Sequence, residues 1–278
     1  MARHNCVLLY GYVTQNPKII TDEDGNYIRG QCMITTIRGE RSVEDGEMGD
    51  FRFDIPIIMS RNPDLIAEMA TWHEYDMVEV KGNISTRDVK KISTCPNCGH
   101  QNVKTGVLLY VTPIYCGMLE HGNTKEGCEK LLKKKCEISN FCLVAGNLCN
   151  DPEFYRYESG GCQTVWQIAI NRKFRVVEDP PEIKTDFPWV RSYGENAESD
   201  KKFLMKGSSV LVEGVIQTRT FNQNITCEEC GETYQKPDRT MEIVPYSTEY
   251  LLGCRTTEEI EQMEKEEQDN AFKSIFGA

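Results

Sequence analysis

One stretch of this chain occurs twice. Residues 78–99 read VEVKGNISTRDVKKISTCPNCG, and residues 210–231 read VLVEGVIQTRTFNQNITCEECG. At a constant offset of 132, Gly82 meets Gly214, Thr86-Arg87 meets Thr218-Arg219, Cys95 and Cys98 meet Cys227 and Cys230, and Gly99 meets Gly231. Upstream the match continues: residues 5–11 and Pro17 align with residues 140–146 and Pro152 at an offset of 135, and residues 33–38 with residues 167–172 at 134. Such slow drift is what changes in loop length produce. The chain therefore folds as a tandem repeat of one domain.

At 278 residues, two domains of ordinary size fit, each able to bury a core. No apolar run approaches the ~20 residues that span a bilayer, and the start MARHNCVLLY lacks a signal-type apolar region. Thirteen cysteines in a chain read as unsecreted favour reduced thiols and metal over disulfides, so a cytoplasmic location is expected. The net charge of −11 opposes a general nucleic-acid binder, but residues 254–278 carry seven acidic against three basic groups, −4 of the total. The remaining −7 is compatible with a local basic groove. No nucleophile–base set, phosphate loop or carboxylate pair stands out, and His4, His73, His100 and His121 show no ligand spacing. A non-enzymatic role is the expectation.

The alternation of apolar and polar residues predicts strands over 5–14, 28–38, 51–59, 77–86 and 107–114, with a helix over 63–72 and a stop at Asn16-Pro17. The second copy repeats the order, with strands over 142–148, 164–171, 189–193, 210–218 and from 239, and a helix over 197–205. Residues 117–137 are polar and lysine-rich, a linker composition. The last twenty residues read as an acidic helix or a disordered segment. A mainly β chain is expected: two tandem OB-folds, five-stranded Greek-key barrels, each with a short helix between strands three and four and a CxxC knuckle in the strand four–five hairpin. The expected boundaries are 1–116 and 138–253 for the barrels, 117–137 for the linker and 254–278 for the tail.

The second copy resembles the bacterial single-stranded DNA-binding protein family. The resemblance rests on Asn140-x-Cys-Leu-Val-x-Gly146-Asn147-Leu148, Asp151-Pro152-Glu153, Tyr157 with Gly160-Gly161, Trp189, residues 206–214 (KGSSVLVEG) and Thr218-Arg219-Thr220-Phe221. It covers residues 140–250 well and 5–115 faintly. It implies single-stranded DNA as partner, in replication, recombination, repair or transfer, in a bacterium or as a phage or mobile-element protein. Single-domain members assemble as tetramers, so it also implies a homodimer holding four barrels. Three features depart from the family: two domains in one chain, the cysteine knuckles, and a tail ending FKSIFGA. The tail is nevertheless expected to recruit replication or recombination proteins through Phe272, Ile275 and Phe276.

Sequence-tolerant binding of single strands uses flat aromatic faces and cations along the backbone path. In the second copy the candidates are Phe174, Trp189 and Phe221, interleaved with Arg172, Lys173, Arg175, Arg191 and Arg219; Tyr155 and Tyr157 are weaker. Phe174 stands between Lys173 and Arg175, and burying it would drag cations inward. Trp72 and Trp166 lie on apolar faces and read as core. In the first copy Arg38, Arg41 and Arg87 remain, Phe51 or Phe53 is the candidate counterpart of Trp189, and Glu40 and Val89 replace Phe174 and Phe221. That copy is expected to supply charge more than stacking.

A structural zinc needs four ligands, and each knuckle supplies two. Joining Cys95 and Cys98 to Cys227 and Cys230 gives one four-cysteine site for Zn2+, within or between chains. A redox role is disfavoured because no βαβ unit surrounds either pair. An alternative to DNA binding is a scaffold whose knuckles and tail hold other proteins of a nucleic-acid-processing complex.

Overall fold

The computed structural model describes residues 4–39, 51–172 and 185–276. The first copy runs β1 (Asn5–Thr21), β2 (Tyr27–Arg38), β3 (Arg52–Asp54), β4 (Ile57–Ser60), α1 (Pro63–Met69), β5 (Met77–Thr94) and β6 (Gln101–Glu120). Helices α2 (Lys125–Lys134) and α3 (Cys136–Ser139) follow. The second copy runs β7 (Asn140–Leu148), β8 (Glu153–Arg156), β9 (Cys162–Asn171), β10 (Thr185–Asp186), β11 (Trp189–Tyr193), α4 (Gly194–Phe203), β12 (Ser209–Thr226) and β13 (Thr233–Leu252), and the chain continues into α5 (Thr257–Phe276).

Each copy closes on itself. In the first, β1 pairs β5, β5 pairs β6, β6 runs parallel to β4, β4 pairs β2, and β2 returns to β1. In the second, β7, β12, β13, β11 and β9 make the same circuit with the same single parallel step. This is the OB connectivity, with one short helix between the third and fourth barrel strands. Closure needs sharp bends, and the repeated glycine supplies one per barrel. A Cβ on Gly82 would sit 2.5 Å from the Thr112 carbonyl oxygen, and one on Gly214 would sit 2.2 Å from that of Val244. Both glycines stand at register shifts of the β5–β6 and β12–β13 ladders.

The elements run longer than the apolar pattern. β1 continues past Pro17 to Thr21, with register shifts around Gln15 that leave Pro17 without a ladder partner. A proline lacking an N–H is tolerated at such an irregularity. β5–β6 and β12–β13 extend as hairpins of 18 and 20 residues per strand, well beyond the barrel walls, down to the cysteine turns. Part of the expected linker is strand, since β6 reaches Glu120, and most of the rest is helical. Helix α2 buries Cys128 and Leu132 against Tyr10, Tyr12, Ile37 and Met77. No helix among the described residues is long and apolar enough to cross a membrane.

The two circuits join through their opening strands. β1 and β7 pair antiparallel from Asn5↔Val144 to Leu9↔Asn140, so the opening strands of the two barrels meet within one chain. Reciprocal carboxylates reinforce the seam. The Thr218 amide donates to Asp54 Oδ1 at 2.7 Å, and the Thr86 amide donates to Asp186 Oδ1, also at 2.7 Å. The Thr218 and Thr86 hydroxyls in turn accept the amides of Ile55 and Phe187, both at 2.9 Å. The repeated threonine thus holds the opposite barrel. Each carboxylate also has an arginine: Arg172 grips Asp186 with two bonds of 2.6 and 2.7 Å, and Arg38 Nε lies 2.8 Å from Asp54.

Breaking a buried ion pair from one side strands the other charge, at about 3–5 kcal/mol. The Arg172 side chain is 5% exposed and that of Arg38 17%. Asp186→Ala should therefore destabilise the protein by about 3–5 kcal/mol and Asp54→Ala by less, as read by urea denaturation.

Candidate nucleic-acid interface and metal centre

On the second barrel, the alternation of β11 sends Val190 and Ser192 inward and Trp189 and Arg191 outward. β9 lies alongside, pairing Trp189↔Gln167 and Arg191↔Val165, and Tyr155 of β8 stands opposite Gln163. From the other side, β12 brings Arg219 and Phe221. Together Tyr155, Trp189, Phe221, Arg191 and Arg219 line an open groove of about 440 Å³, with Glu153 and Glu242 in its walls. Tyr155 and Trp189 are exposed, and Phe221 is half-buried beneath the Arg219 guanidinium, 4.9 Å from its ring centroid.

Glu242 organises the cations. Its carboxylate is buried and lies 3.0 Å from Arg191 Nε and 3.3 Å from Arg219 Nε. Gln163 accepts a further bond of 2.8 Å from Arg191. One carboxylate between two guanidiniums leaves that trio with one net positive charge, which Glu153 in the groove wall balances. The phenol of Tyr155 donates to Glu153, a bond that holds its pKa above the ordinary value.

The remaining candidates fall into three groups. Lys173, Phe174, Arg175 and Arg41 lie outside the described residues. Arg38 and Arg172 are engaged as partners of Asp54 and Asp186, with side chains 17% and 5% exposed. Arg87 is half-buried over Tyr110, 6.0 Å from its ring centroid. As for Phe51 and Phe53, strand register separates them from the Trp189 position. The pairing Met33↔Ile57 repeats Gln167↔Trp189, and the parallel step Ile58↔Val111 repeats Val190↔Ile243. Ile57 is thus the counterpart of Trp189. Phe53 stands on β3 opposite Ile37, and Phe51 packs beside Lys133. On the first barrel this face carries Arg29, Arg61 and Arg87, and burial followed by the two neighbouring charges lowers the pKa of Arg29. Sequence offset alone could have found Ile57, since 57 and 189 differ by the same 132 as the knuckles.

At the far ends of the hairpins the two cysteine turns are copies. The Cys95 and Cys227 amides donate to the His100 and Glu232 carbonyls at 2.8 Å, and the Gly99 and Gly231 amides close the turns back onto Cys95 and Cys227 at 3.0 Å. Gly99 and Gly231 adopt φ of +76° and +71°, open to glycine at little cost. The hairpins bring all four sulfurs within 4.8 Å of one another, Cys95 to Cys230 at 3.7 Å and Cys98 to Cys227 at 3.6 Å. The hairpins are braced beside the turns: Asn102 accepts the Glu228 amide at 3.1 Å, Tyr234 donates to Ser93 at 3.0 Å, and Lys91 meets Asp238 at 2.5 Å.

These sulfur separations exceed the ~2.05 Å of a disulfide. They fall close to the ~3.8 Å edge of a tetrahedron with metal–sulfur bonds of about 2.3 Å. The Cys230 amide, aided by that of Glu229, lowers the Cys227 thiol to about 6. The Cys98 thiol is pushed up to about 12, since the lowering by the His100 amide is outweighed by burial and by its three sulfur neighbours. Four thiolates need a cation between them, and this cluster is built to hold one. Away from it the cysteines behave as packing groups; burial pushes Cys32, Cys116 and Cys142 up to about 12.

The fold is of the OB type, and the groove gathers aromatic rings and guanidiniums on one face of its second barrel. A family model described as the single-strand binding protein family matches residues 139–234, which make up most of the second barrel. Over 83 residues it is 39% identical to single-stranded DNA-binding protein 2 of Chlorobaculum tepidum, covering 30% of this chain and 56% of that protein. It is 30% identical over 83 residues to the single-stranded DNA-binding protein of Helicobacter hepaticus, covering 49% of it. The chain thus spans about half the length of the curated relatives it matches. The crystal structure of wild-type single-stranded DNA-binding protein from Thermus aquaticus aligns over 92% of this chain and 97% of that one, with a TM-score of 0.57 and 16% identity. At that identity it is the fold that is shared, and it extends over both barrels.

Of the three tryptophans, Trp72 and Trp166 are buried and Trp189 is 36% exposed. Acrylamide should quench the native protein's fluorescence markedly and that of Trp189→Phe very little.

Proposed function

We propose that this chain binds single-stranded DNA without acting on it chemically, mainly through the groove of the second barrel. The observation that carries this reading is the convergence of Tyr155, Trp189 and Phe221 with Arg191 and Arg219 on one face of the family-matched barrel. The matched relatives bear the name single-stranded DNA-binding protein. Aromatic faces stack on any base, and the guanidiniums that Glu242 orients meet phosphates. The first barrel, with Ile57 in place of the tryptophan and Arg29, Arg61 and Arg87 nearby, contributes charge rather than stacking. Such binding protects single strands during replication, recombination, repair or transfer in a bacterial cytoplasm.

Zn2+ fits the Cys95, Cys98, Cys227 and Cys230 cluster. Bound by four thiolates it is structural, with no position open to water. It ties the β5–β6 hairpin to the β12–β13 hairpin and so fixes the barrels' mutual placement at a second point. Two chains would bring four barrels together. With β1 and β7 spent on each other, that contact uses another surface. The acidic helix α5, with Phe272 exposed, is the segment suited to recruit other proteins.

Titration with oligo(dT), followed by Trp189 fluorescence, tests the reading. Phe221→Ala, and Trp189→Ala followed by a labelled oligonucleotide, should each weaken binding by about 1–3 kcal/mol, while Ile57→Ala leaves it unchanged. Equal losses at Ile57 and Trp189 would remove the asymmetry, and no binding at all would remove the function.

Metal analysis should find one zinc that survives dialysis in the native chain and is lost in Cys98→Ser. Zinc retained by that variant would count against the four-thiolate site.

A further inference from the structure

Two of the four histidines, without ligand spacing in the sequence, converge in the fold. His73 and Asp76 lie in the turn between α1 and β5, and His121 follows β6 directly. The β5–β6 ladder pairs Met77 with Glu120, which sets His121 beside Asp76. His121 Nδ1 stands 2.8 Å from Asp76 Oδ1, and His73 Nδ1 stands 3.8 Å from Oδ2. The two rings meet edge to face with centroids 5.4 Å apart. The ligand atoms of all three residues lie within 4.8 Å of one another.

We propose that His73, Asp76 and His121 form a second cation site, which takes a divalent first-row transition ion. The carboxylate is the fixed element. Asp76 is 1% exposed, and its oxygens accept the His73 amide at 2.7 Å and the Gly122 amide at 3.1 Å. Backbone donors of this kind orient a ligating carboxylate while leaving lone pairs on both oxygens. The imidazoles are the adjustable elements, with side chains 64% and 57% exposed.

Metal–nitrogen and metal–oxygen bonds of about 2.0–2.2 Å place neighbouring ligand atoms roughly 3.4 Å apart around a tetrahedral centre. The shorter contact must open and the longer one close, each by about half an ångström, which rotation of a surface ring supplies. Both Nδ1 atoms would then ligate in the neutral ring form, with the protons on Nε2 facing water. Two imidazoles with one carboxylate suit zinc, nickel, copper or iron rather than magnesium or calcium. Three protein ligands beside open solvent leave a position for water, in contrast to the closed cysteine cluster. Nearby Cys128 is no ligand, since its thiol donates to the Tyr75 carbonyl at 3.1 Å. A bound ion would fasten the α1–β5 turn to the segment that leads through α2 into the second barrel.

The test is calorimetric titration of the full chain, dialysed to keep only the zinc of the cysteine cluster, with Ni2+, alongside the imidazole NMR signals. One further equivalent should bind, with the His73 and His121 signals broadened or shifted together. His73→Gln and His121→Gln replace surface rings and leave the fold intact; each should weaken uptake about 10–100-fold. Unaltered uptake in the double histidine variant, or no saturable uptake beyond the cysteine cluster, overturns the proposal. The latter result would mark the trio as an ordinary His–Asp ion pair.

Discussion

Asp54 and Asp186 each leave their own barrel to bond the other. A carboxylate taken out of water is tolerated only when its charge is paired and its lone pairs are filled, and here each requirement is met from a different direction. The arginine comes from the carboxylate's own barrel, while the amide and hydroxyl come from the opposite one. Neither barrel can therefore settle its buried charge alone. Burial raises the pKa of Asp54 in spite of Arg38 and the Thr218 donors. The cost of an undocked barrel is correspondingly high, which makes the seam the condition for everything built on it. The groove on β11 and β12 and the meeting of the hairpin tips both presuppose it.

Much of this arrangement was legible in the sequence. The offset of the repeat gives two equivalent barrels, and equivalence itself points to the four cysteines as one cluster, because each hairpin offers half of a tetrahedral set. Hairpin lengths were harder to read. Beyond the barrel wall burial still alternates along β12, but Arg219 and Gln223 occupy sheltered positions there, so the apolar–polar pattern of the sequence fades. The pairing of Thr218 with Asp54 was invisible for a related reason. A threonine that bonds a carboxylate 164 residues away leaves no local pattern. Arg172 holds a partner that its neighbourhood in the sequence does not announce: the cation beside a candidate stacking residue also grips Asp186 with two bonds.

The two barrels have kept the frame and parted at the surface. Register assigns Ile57 to Trp189 and Val89 to Phe221, so an aliphatic side chain stands at each position where the second barrel offers an aromatic face. Arg87 and Arg219 are retained at equivalent places, yet one leans on Tyr110 and the other on Phe221 and Glu242. Backbone closure, the bulge glycines and the seam carboxylates recur in both copies because the fold fails without them. Stacking faces are needed only where the ligand runs.

The pairing of β1 with β7 has a consequence for dilution. In a homodimer of single barrels, the corresponding contact forms between molecules, and its occupancy falls as the protein becomes scarce. Joined through α2 and α3, the two strands meet at an effective concentration set by the connection, whatever the number of chains in solution. Symmetry is released at the same time. A substitution in a homodimer appears on both sides of the interface, whereas in this chain Trp189 can be kept while its counterpart drifts to isoleucine.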